Sequence, residues 1–240
     1  MRNNVQSSLD HLMCEIEKLP GHWHDAGSIP LKVLRQTIVH SRGRKIINSV
    51  ETGTGKSTLL LSHISQNHKV FTTDVGRSLS LVYSSPLLNR ATVEFIEGPT
   101  QVTLSRYRFQ SKIQLLLLDG PHGYPFPDLE YYYTYPHLQQ EGLLILDDIH
   151  IPTIYNLFRF LKEDAMFKLL EVVKNTAFFV RTEVPIFDPL DDGWWLQSFN
   201  KKYFPANRLV PGRFIYNTVT KLKKKIPVFF KDNFKKVMKF

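Results

Sequence analysis

The order of hydrophobic and polar positions divides the chain into three zones. In residues 1–44 apolar residues recur at helical spacing, which predicts one helix ending before Leu19-Pro20-Gly21 and a second helix over 31–40. In residues 45–184 short apolar runs alternate with helical patterns, which indicates strands followed by helices. After Val184 the regular pattern is lost in a segment rich in Pro, Gly and aromatic residues. The predicted strands are 45–51, 69–73, 92–96, 114–119, 143–148, 167–175 and 177–181, and the predicted helices are 57–67, 77–88, 129–138 and 153–163.

The central zone predicts an α/β fold. Repeated strand–helix units imply a mostly parallel sheet with right-handed crossovers. The run from Leu115 to Leu118 is apolar on both faces, as expected for a strand that helices cover on either side. Ligands of such sheets bind at the C-terminal ends of the strands. We therefore expect a Rossmann-like ligand-binding domain at 45–184, with a helical cap at 1–44 and an extension at 185–240.

The cysteine content and the apolar runs of the chain indicate the cellular compartment of the protein. The single cysteine, Cys14, excludes an internal disulfide, which fits a reducing compartment. The N-terminal residues lack the continuous apolar run of a secretory signal, and no segment is apolar over the length that a bilayer requires. We therefore predict a cytoplasmic protein.

The net charge of +9 is unevenly distributed. Residues 200–240 contain twelve Lys or Arg and one Asp (net +11), whereas the rest of the chain has 19 basic and 21 acidic residues (net −2). Residues 221–240 also place apolar side chains on one helical face with lysines between them, which predicts an amphipathic basic helix. Such a helix binds an anionic membrane surface, or packs on its own domain or on a partner subunit of a homo-oligomer. Nucleic acid is a less favoured partner, because no recognisable DNA- or RNA-binding module accompanies the helix.

The segment ETGTGKST at 51–58 is a glycine-containing turn between a predicted strand and a predicted helix. One interpretation is a phosphate-binding P-loop, since Gly55-Lys56-Ser57 fits the end of the pattern G-x-x-x-x-G-K-[ST]. Asp147 would then supply the second magnesium contact of a nucleotide-binding enzyme. The position of the first glycine is occupied by Val50, which suits a strand better than a turn.

The other interpretation is a turn that binds S-adenosylmethionine (SAM). Glu51 ends the strand, Gly53 and Gly55 allow the backbone to approach the methionine part of the cofactor, and Ser57 begins the helix. Asp74 follows the next strand, about 20 residues after the glycines, where a carboxylate can bind the ribose hydroxyls.

Three carboxylates follow two buried strands. Asp119 ends the fourth strand, and Asp147 and Asp148 end the fifth. If these strands are neighbours, the carboxylates meet at one edge of the sheet and raise each other's pKa. A hard divalent cation resolves this repulsion, and Mg²⁺ prefers such oxygen ligands. Helix or turn capping by single aspartates is the alternative, which we prefer for Asp128.

Two histidines are candidates for a general base. His122 lies three residues after Asp119, and His150 follows the aspartate pair. Imidazole has a pKa near the operating pH of most enzymes, so either residue could take a proton from a hydroxyl group.

Together, ETGTGKST, Asp74, DGPHGYPFPDLE and LQQEGLLILDD resemble the class I SAM-dependent methyltransferases. The resemblance covers about 45–163 and is greatest to the group with a D-G-x-H-x-Y loop and an Asp-Asp strand end. That group includes metal-dependent sugar O-methyltransferases of macrolide and aminocoumarin biosynthesis, and relatives of cephalosporin-hydroxylase accessory proteins. The resemblance implies a seven-stranded sheet with a reversed last hairpin, SAM contacts at Glu51, Gly53, Gly55, Asp74 and the adjoining Ser57 and Asp119, and Mg²⁺ held by Asp119, Asp147 and Asp148.

Two further expectations come from the resemblance. The sugar enzymes carry an aspartate, proposed as the base, where this chain has Pro121, so His122 is expected to replace it. The N-terminal helices of the group form a lid. Residues 1–44 are expected to do the same, with His22, Trp23 and His24 towards the site or with Trp23 packed in its loop.

The sequence therefore predicts a magnesium-assisted O-methyltransferase that acts on a small-molecule hydroxyl. Two alternatives remain: a P-loop nucleotide-binding enzyme, and a non-catalytic SAM-fold scaffold whose basic tail is the working surface.

Overall fold

The computed structural model describes residues 2–21, 23, 25, 27–188, 190 and 193–203. Its centre is a seven-stranded sheet in the order β3-β2-β1-β4-β5-β7-β6. The first five strands pair in parallel, and β7 is antiparallel to both β5 and β6. This confirms the mostly parallel, seven-stranded sheet with a reversed last hairpin. The strands are β1 (Asn48–Thr52), β2 (Asn67–Thr72), β3 (Val93–Glu97), β4 (Ile113–Leu118), β5 (Leu138–Leu146), β6 (Phe167–Val173) and β7 (Thr176–Arg181).

Helices cover both faces of this sheet. Along β4, Leu115 and Leu117 belong to one hydrophobic core, and Leu116 and Leu118 belong to the other. The first core contains side chains of α1 to α4, and the second contains side chains of α5 to α7. The two-sided burial predicted for this strand is thus confirmed. The helices are α1 (Arg2–Lys18), α2 (Leu31–Ser41), α3 (Lys56–Ile64), α4 (Ser78–Ser84), α5 (Thr100–Arg106), α6 (Phe126–Thr134) and α7 (Pro152–Glu163).

The predicted boundaries differ from the structure in several places. The predicted helix at 77–88 ends at Ser84, because Ser85 precedes Pro86 and takes an extended conformation. The predicted helix at 129–138 lies at 126–134, and β5 begins at Leu138, five residues earlier than expected. Helix α5 was not predicted, because its seven residues are too few to show a helical period.

The N-terminal helices pack on α3. Leu12, Met13 and Ile16 of α1 join Val33 and other apolar side chains of α2 in the first core. Trp23 packs against this same core, which agrees with the packed alternative for this residue. His22 and His24 lie outside the described residues.

The chain divides into two compact units, Met1–Gly193 and Trp194–Phe240. The described part of the second unit contains a 3₁₀ turn (Trp194–Leu196) and the short helix α8 (Ser198–Tyr203). The predicted basic helix at 221–240 lies outside the described residues. Within the described ranges, no helix has the length and apolar character needed to cross a membrane.

Candidate active site

A cavity of about 630 Å³ opens at the C-terminal ends of the parallel strands. This is the edge at which α/β sheets bind ligands, and the volume lies in the usual range for a small-molecule site. The residues that line it come from four places: the loop before α2 (residues 27–30), the turn after β1 with the end of β2 and the segment after it (Gly53, Thr54, Phe71, Thr72, Thr73, Val75, Ser78), the start of α5 (Pro99, Thr100, Gln101), and the acidic edge with its neighbours (Asp119, Gly120, Pro121, His122, Phe126, Asp147, Asp148, Asn175).

The turn after β1 approaches this cavity through Gly53. Gly53 has a φ of 92°, a left-handed conformation that favours glycine. A Cβ atom at this position would lie 2.4 Å from the carbonyl oxygen of Asp119. The glycine therefore lets the β1 turn and the β4 turn touch backbone to backbone on the cavity floor.

Three other predicted cofactor contacts lie beneath this turn. Glu51 is fully buried and accepts hydrogen bonds from the hydroxyls of Ser57 and Thr58, and its Oε2 lies 3.0 Å from Nε2 of His68. Glu51, Gly55 and Ser57 are not among the residues that line the cavity. In this structure they shape the turn, and direct contact with a cofactor remains a prediction for each.

Asp74 lies between two residues that line the cavity, Thr73 and Val75. Its carboxylate accepts hydrogen bonds from the backbone N–H and the hydroxyl of Ser80. These bonds lower the pKa of Asp74, so the side chain stays ionised near the cavity mouth. A ribose would have to share or displace the Ser80 contact.

Thr100 and Gln101 line the cavity and were missed from the sequence. They follow Pro99 at the first turn of α5, directly after β3. The detectable signal was a Pro-Thr-Gln segment after a strand, at the edge where ligands bind. Thr100 Oγ1 and Gln101 Oε1 are buried and have no hydrogen-bond partner among the described residues.

Unpartnered polar atoms concentrate at this cavity. Three side-chain oxygens of cavity-lining residues, those of Thr54, Thr100 and Gln101, are buried without a hydrogen-bond partner in the described part of the chain. An unpaired buried polar atom costs free energy, of the order of 1–3 kcal/mol. Their shared location leaves these oxygens available to a polar ligand or to water in the cavity.

The two acidic strand ends do meet, as the sequence predicts. β4 and β5 are neighbours, and the backbone N–H of Asp147 donates to the Leu118 carbonyl at 3.1 Å. Asp119, His122 and Asp148 each offer one ligand atom within 4.8 Å of the others, which is close enough to share a metal ion. Nε2 of His122 lies 3.2 Å from Oδ2 of Asp148 and 4.0 Å from Oδ1 of Asp119.

Asp147 has a different environment from its neighbour. It is buried, and its Oδ1 accepts a hydrogen bond from the hydroxyl of Thr176 at the start of β7. Asp148 has a φ of 52°, and this left-handed residue turns the chain sharply after Asp147. Asp147 and Asp148 both line the cavity, but Asp147 is not part of the three-residue group that could share a metal.

The carboxylates are strongly perturbed. Burial, followed by the neighbouring charges of Asp147, Glu51 and Asp148, raises the pKa of Asp119 to about 8, against the opposing effect of His122. Burial likewise raises the pKa of Asp147. The nearby carboxylate of Asp119 raises the pKa of His122. A bound cation would reverse the carboxylate shifts, because it favours their ionised forms.

His150 lies outside this arrangement. Its Nδ1 is 3.6 Å from Oδ1 of Asp148, and its side chain is 55% exposed. It does not line the cavity, whereas His122 does. The geometry therefore favours His122 over His150 as the group nearest to a bound ligand.

Lys56 does not face the cavity. Its side chain is buried, and Nζ donates to the backbone carbonyls of Pro20 at 2.9 Å and Leu19 at 3.2 Å. Lys56 thereby joins the end of the α1 segment to the first turn of α3. A P-loop lysine would instead point to bound phosphate, so these contacts speak against the nucleotide-binding alternative.

Comparisons with known proteins agree with this architecture. Residues 50–149 match the family model of a methyltransferase domain. No curated protein matches the sequence significantly. Solved structures with a similar fold include the O-methyltransferase TomG from Streptomyces achromogenes, involved in tomaymycin synthesis and solved with SAM (10% identity, 74% of this chain and 89% of that chain, TM-score 0.54). Others are the methyltransferase PaMTH1 from Podospora anserina, bound to S-adenosylhomocysteine (SAH; 17% identity, 73% and 88%, TM-score 0.52), and the O-methyltransferase from Bacillus cereus in complex with SAH (15% identity, 73% and 91%, TM-score 0.50).

Proposed function

We propose, from the class I methyltransferase fold and the methyltransferase domain at 50–149, that this protein transfers the methyl group of SAM to a small-molecule hydroxyl. The observation that carries the proposal is the cavity at the C-terminal strand edge. A glycine turn, unpartnered polar oxygens, and an acidic group with a histidine all line this one cavity.

The cofactor would lie across the ends of β4, β1, β2 and β3. The Gly53 turn would leave room for the methionine part, and Asp74, which follows β2, would bind the ribose hydroxyls. Thr100 Oγ1 and Gln101 Oε1 would form hydrogen bonds with the polar edge of the adenine base. The adenine base would thereby bond to a hydroxyl oxygen and an amide oxygen that have no hydrogen-bond partner among the described residues.

A divalent cation fits the acidic edge. Asp119 and Asp148 offer carboxylate oxygens, and Nε2 of His122 lies 3.2 Å from Oδ2 of Asp148 and 4.0 Å from Oδ1 of Asp119. Asp147 could complete the set from the cavity wall if its bond to Thr176 were exchanged. Bound there, Mg²⁺ would lower the pKa of the acceptor hydroxyl.

The reaction needs a group that accepts the hydroxyl proton, and it needs the hydroxyl oxygen in line with the bond between sulfur and the methyl carbon of SAM. The hydroxyl oxygen forms a bond to the methyl carbon, the bond from sulfur to that carbon breaks, and SAH is released. His122, within the cavity, takes the hydroxyl proton unless it serves as a ligand of the cation. Residues 27–30 of the loop before α2 also line the cavity.

Calorimetric titration of the purified protein with SAH, and separately with Mg·ATP, tests the proposal. Binding of SAH alone supports it. Binding of Mg·ATP alone overturns it in favour of the P-loop alternative, and binding of neither favours the scaffold alternative. Asp74→Ala is expected to weaken SAH binding at least about tenfold, because a charge-assisted bond to the ribose is lost. Lys56→Ala is the control from the same domain, with SAH affinity close to that of the wild type.

A further inference from the structure

Glu130 is a buried acidic residue to which the methyl-transfer chemistry assigns no role. It lies on α6 and is only 2% exposed, and it does not line the cavity. Its Oε2 accepts a hydrogen bond from the hydroxyl of Thr52 at 2.8 Å. The hydroxyl of Thr100 and the backbone of Gly120 also lie close to this carboxyl group and oppose the rise of its pKa. Burying a carboxyl group costs free energy unless its contacts compensate for the loss of water. The contacts of Glu130 therefore indicate what it does at this position.

Thr52 connects Glu130 to the acidic edge. It is the last residue of β1, and its Oγ1 accepts a hydrogen bond from the backbone N–H of Asp119 at 3.0 Å. Asp119 is the first residue after β4. One hydroxyl thus joins α6, β1 and β4 at the point where Asp119 leaves the sheet.

Close contacts enclose the backbone of Asp119 from two further sides. A Cβ atom at Gly120 would lie 1.9 Å from Oε1 of Glu130, and one at Gly53 would lie 2.4 Å from the carbonyl oxygen of Asp119. Two glycines therefore allow the carboxyl group and the β1 turn to press against consecutive peptide units. With its N–H bound to Thr52, the peptide that carries the Asp119 side chain has little freedom to shift.

We propose that Glu130 is a positioning residue, which acts through Thr52 and Gly120 to fix the Asp119 carboxylate in the geometry that binds the divalent cation. The inference rests on the proposed function, since it assumes that Asp119 is a cation ligand. It adds a residue on α6, outside the cavity, whose effect is on cation affinity and not on the cofactor.

Two matched pairs of variants test this role. Glu130→Leu removes the acceptor for Thr52, whereas Glu130→Gln keeps a carbonyl oxygen of nearly the same shape. Thr52→Val removes the bridging hydroxyl, whereas Thr52→Ser keeps it. Thr134→Val is the control, because it also deletes a buried hydroxyl of α6, one that donates to the Glu130 carbonyl and does not touch the Asp119 turn.

Electron paramagnetic resonance measures the binding of Mn²⁺ to protein saturated with SAH. Calorimetry measures SAH affinity in a separate experiment. Glu130→Leu and Thr52→Val are expected to raise the Kd for Mn²⁺ by about 10- to 100-fold, as loss of an outer partner of a ligand does. SAH affinity should stay within about threefold, and the Gln, Ser and Thr134→Val variants should bind both probes as the wild type does. If Glu130→Leu does not fold, the Thr52 pair decides alone.

The outcomes separate this inference from the proposed function. Wild-type protein that binds no SAH overturns the proposed function, and this inference with it. Wild-type protein that binds SAH but no Mn²⁺ overturns the cation role and the positioning of its ligand. Normal Mn²⁺ affinity in folded Glu130→Leu and Thr52→Val, or equal loss of both probes, overturns the positioning role while the methyltransferase proposal stands.

Discussion

The stability of the cation-free protein should depend on pH through Glu130. Burial raises the pKa of this carboxyl group to about 7 from an ordinary value of 4.5, so the folded protein holds a proton that the unfolded chain releases. The stabilising effect of that proton is complete below pH 4.5 and is lost as the pH rises through 7. A shift of one pKa unit corresponds to about 1.4 kcal/mol. Between pH 5 and pH 8 the wild type should therefore lose about 2.5 kcal/mol of unfolding free energy through this group.

Glu130→Gln isolates this contribution. The amide resembles the protonated acid and does not titrate, so the constant effect of the substitution cancels when the two pH values are compared. Urea unfolding in the presence of EDTA, at pH 5 and pH 8, gives the free energies of both proteins. From pH 5 to pH 8 the unfolding free energy of the wild type should fall by about 2.5 kcal/mol relative to that of the variant. Glu97→Gln removes a negative charge from an exposed site and serves as the control.

Parallel pH profiles of the wild type and Glu130→Gln, agreeing within about 0.5 kcal/mol, would refute this reasoning. They would mean that Glu130 has the same proton affinity in the folded and unfolded chains. Burial of Glu130 would then not be sufficient to raise the pKa of its carboxyl group.

Three further predictions follow from single contacts. Gly53→Ala should lower the unfolding free energy by more than about 2 kcal/mol, because position 53 has a left-handed φ and a Cβ atom there would clash with Asp119. It should also abolish SAH binding; thermal unfolding and calorimetry measure the two effects. Asp119→Asn should remain folded and bind SAH but lose Mn²⁺ binding; a Mn²⁺ signal equal to that of the wild type would contradict the proposed ligand set. Lys56→Met should loosen the α1 segment at Leu19 and Pro20, so that proteolysis near these residues accelerates while Mg·ATP binding stays absent; unchanged cleavage would contradict the anchoring role.

The sequence predicted the fold well because the local signals and the tertiary structure agree. The four leucines of β4 could be buried on both faces only by helices on either side of a sheet. The convergence of Asp119 with Asp147 and Asp148 was predictable for a related reason. Parallel strands end at the same edge, so residues that follow buried strands meet there once the strands are neighbours.

The roles of individual polar residues were not determined by the sequence, because they depend on directions and distances between elements far apart in the chain. Sequence spacing does not reveal that Lys56 turns to the carbonyls of Leu19 and Pro20, or that Glu51 is enclosed by hydroxyls of its own helix. The contact of Glu130 with Thr52 joins residues 78 positions apart. The sequence by itself determined which strands and carboxylates form the site edge, since hydrophobic period and strand order suffice for that. Only the packing of α6 and of the N-terminal segment against this edge decided which side chains face the cavity and which support it from behind.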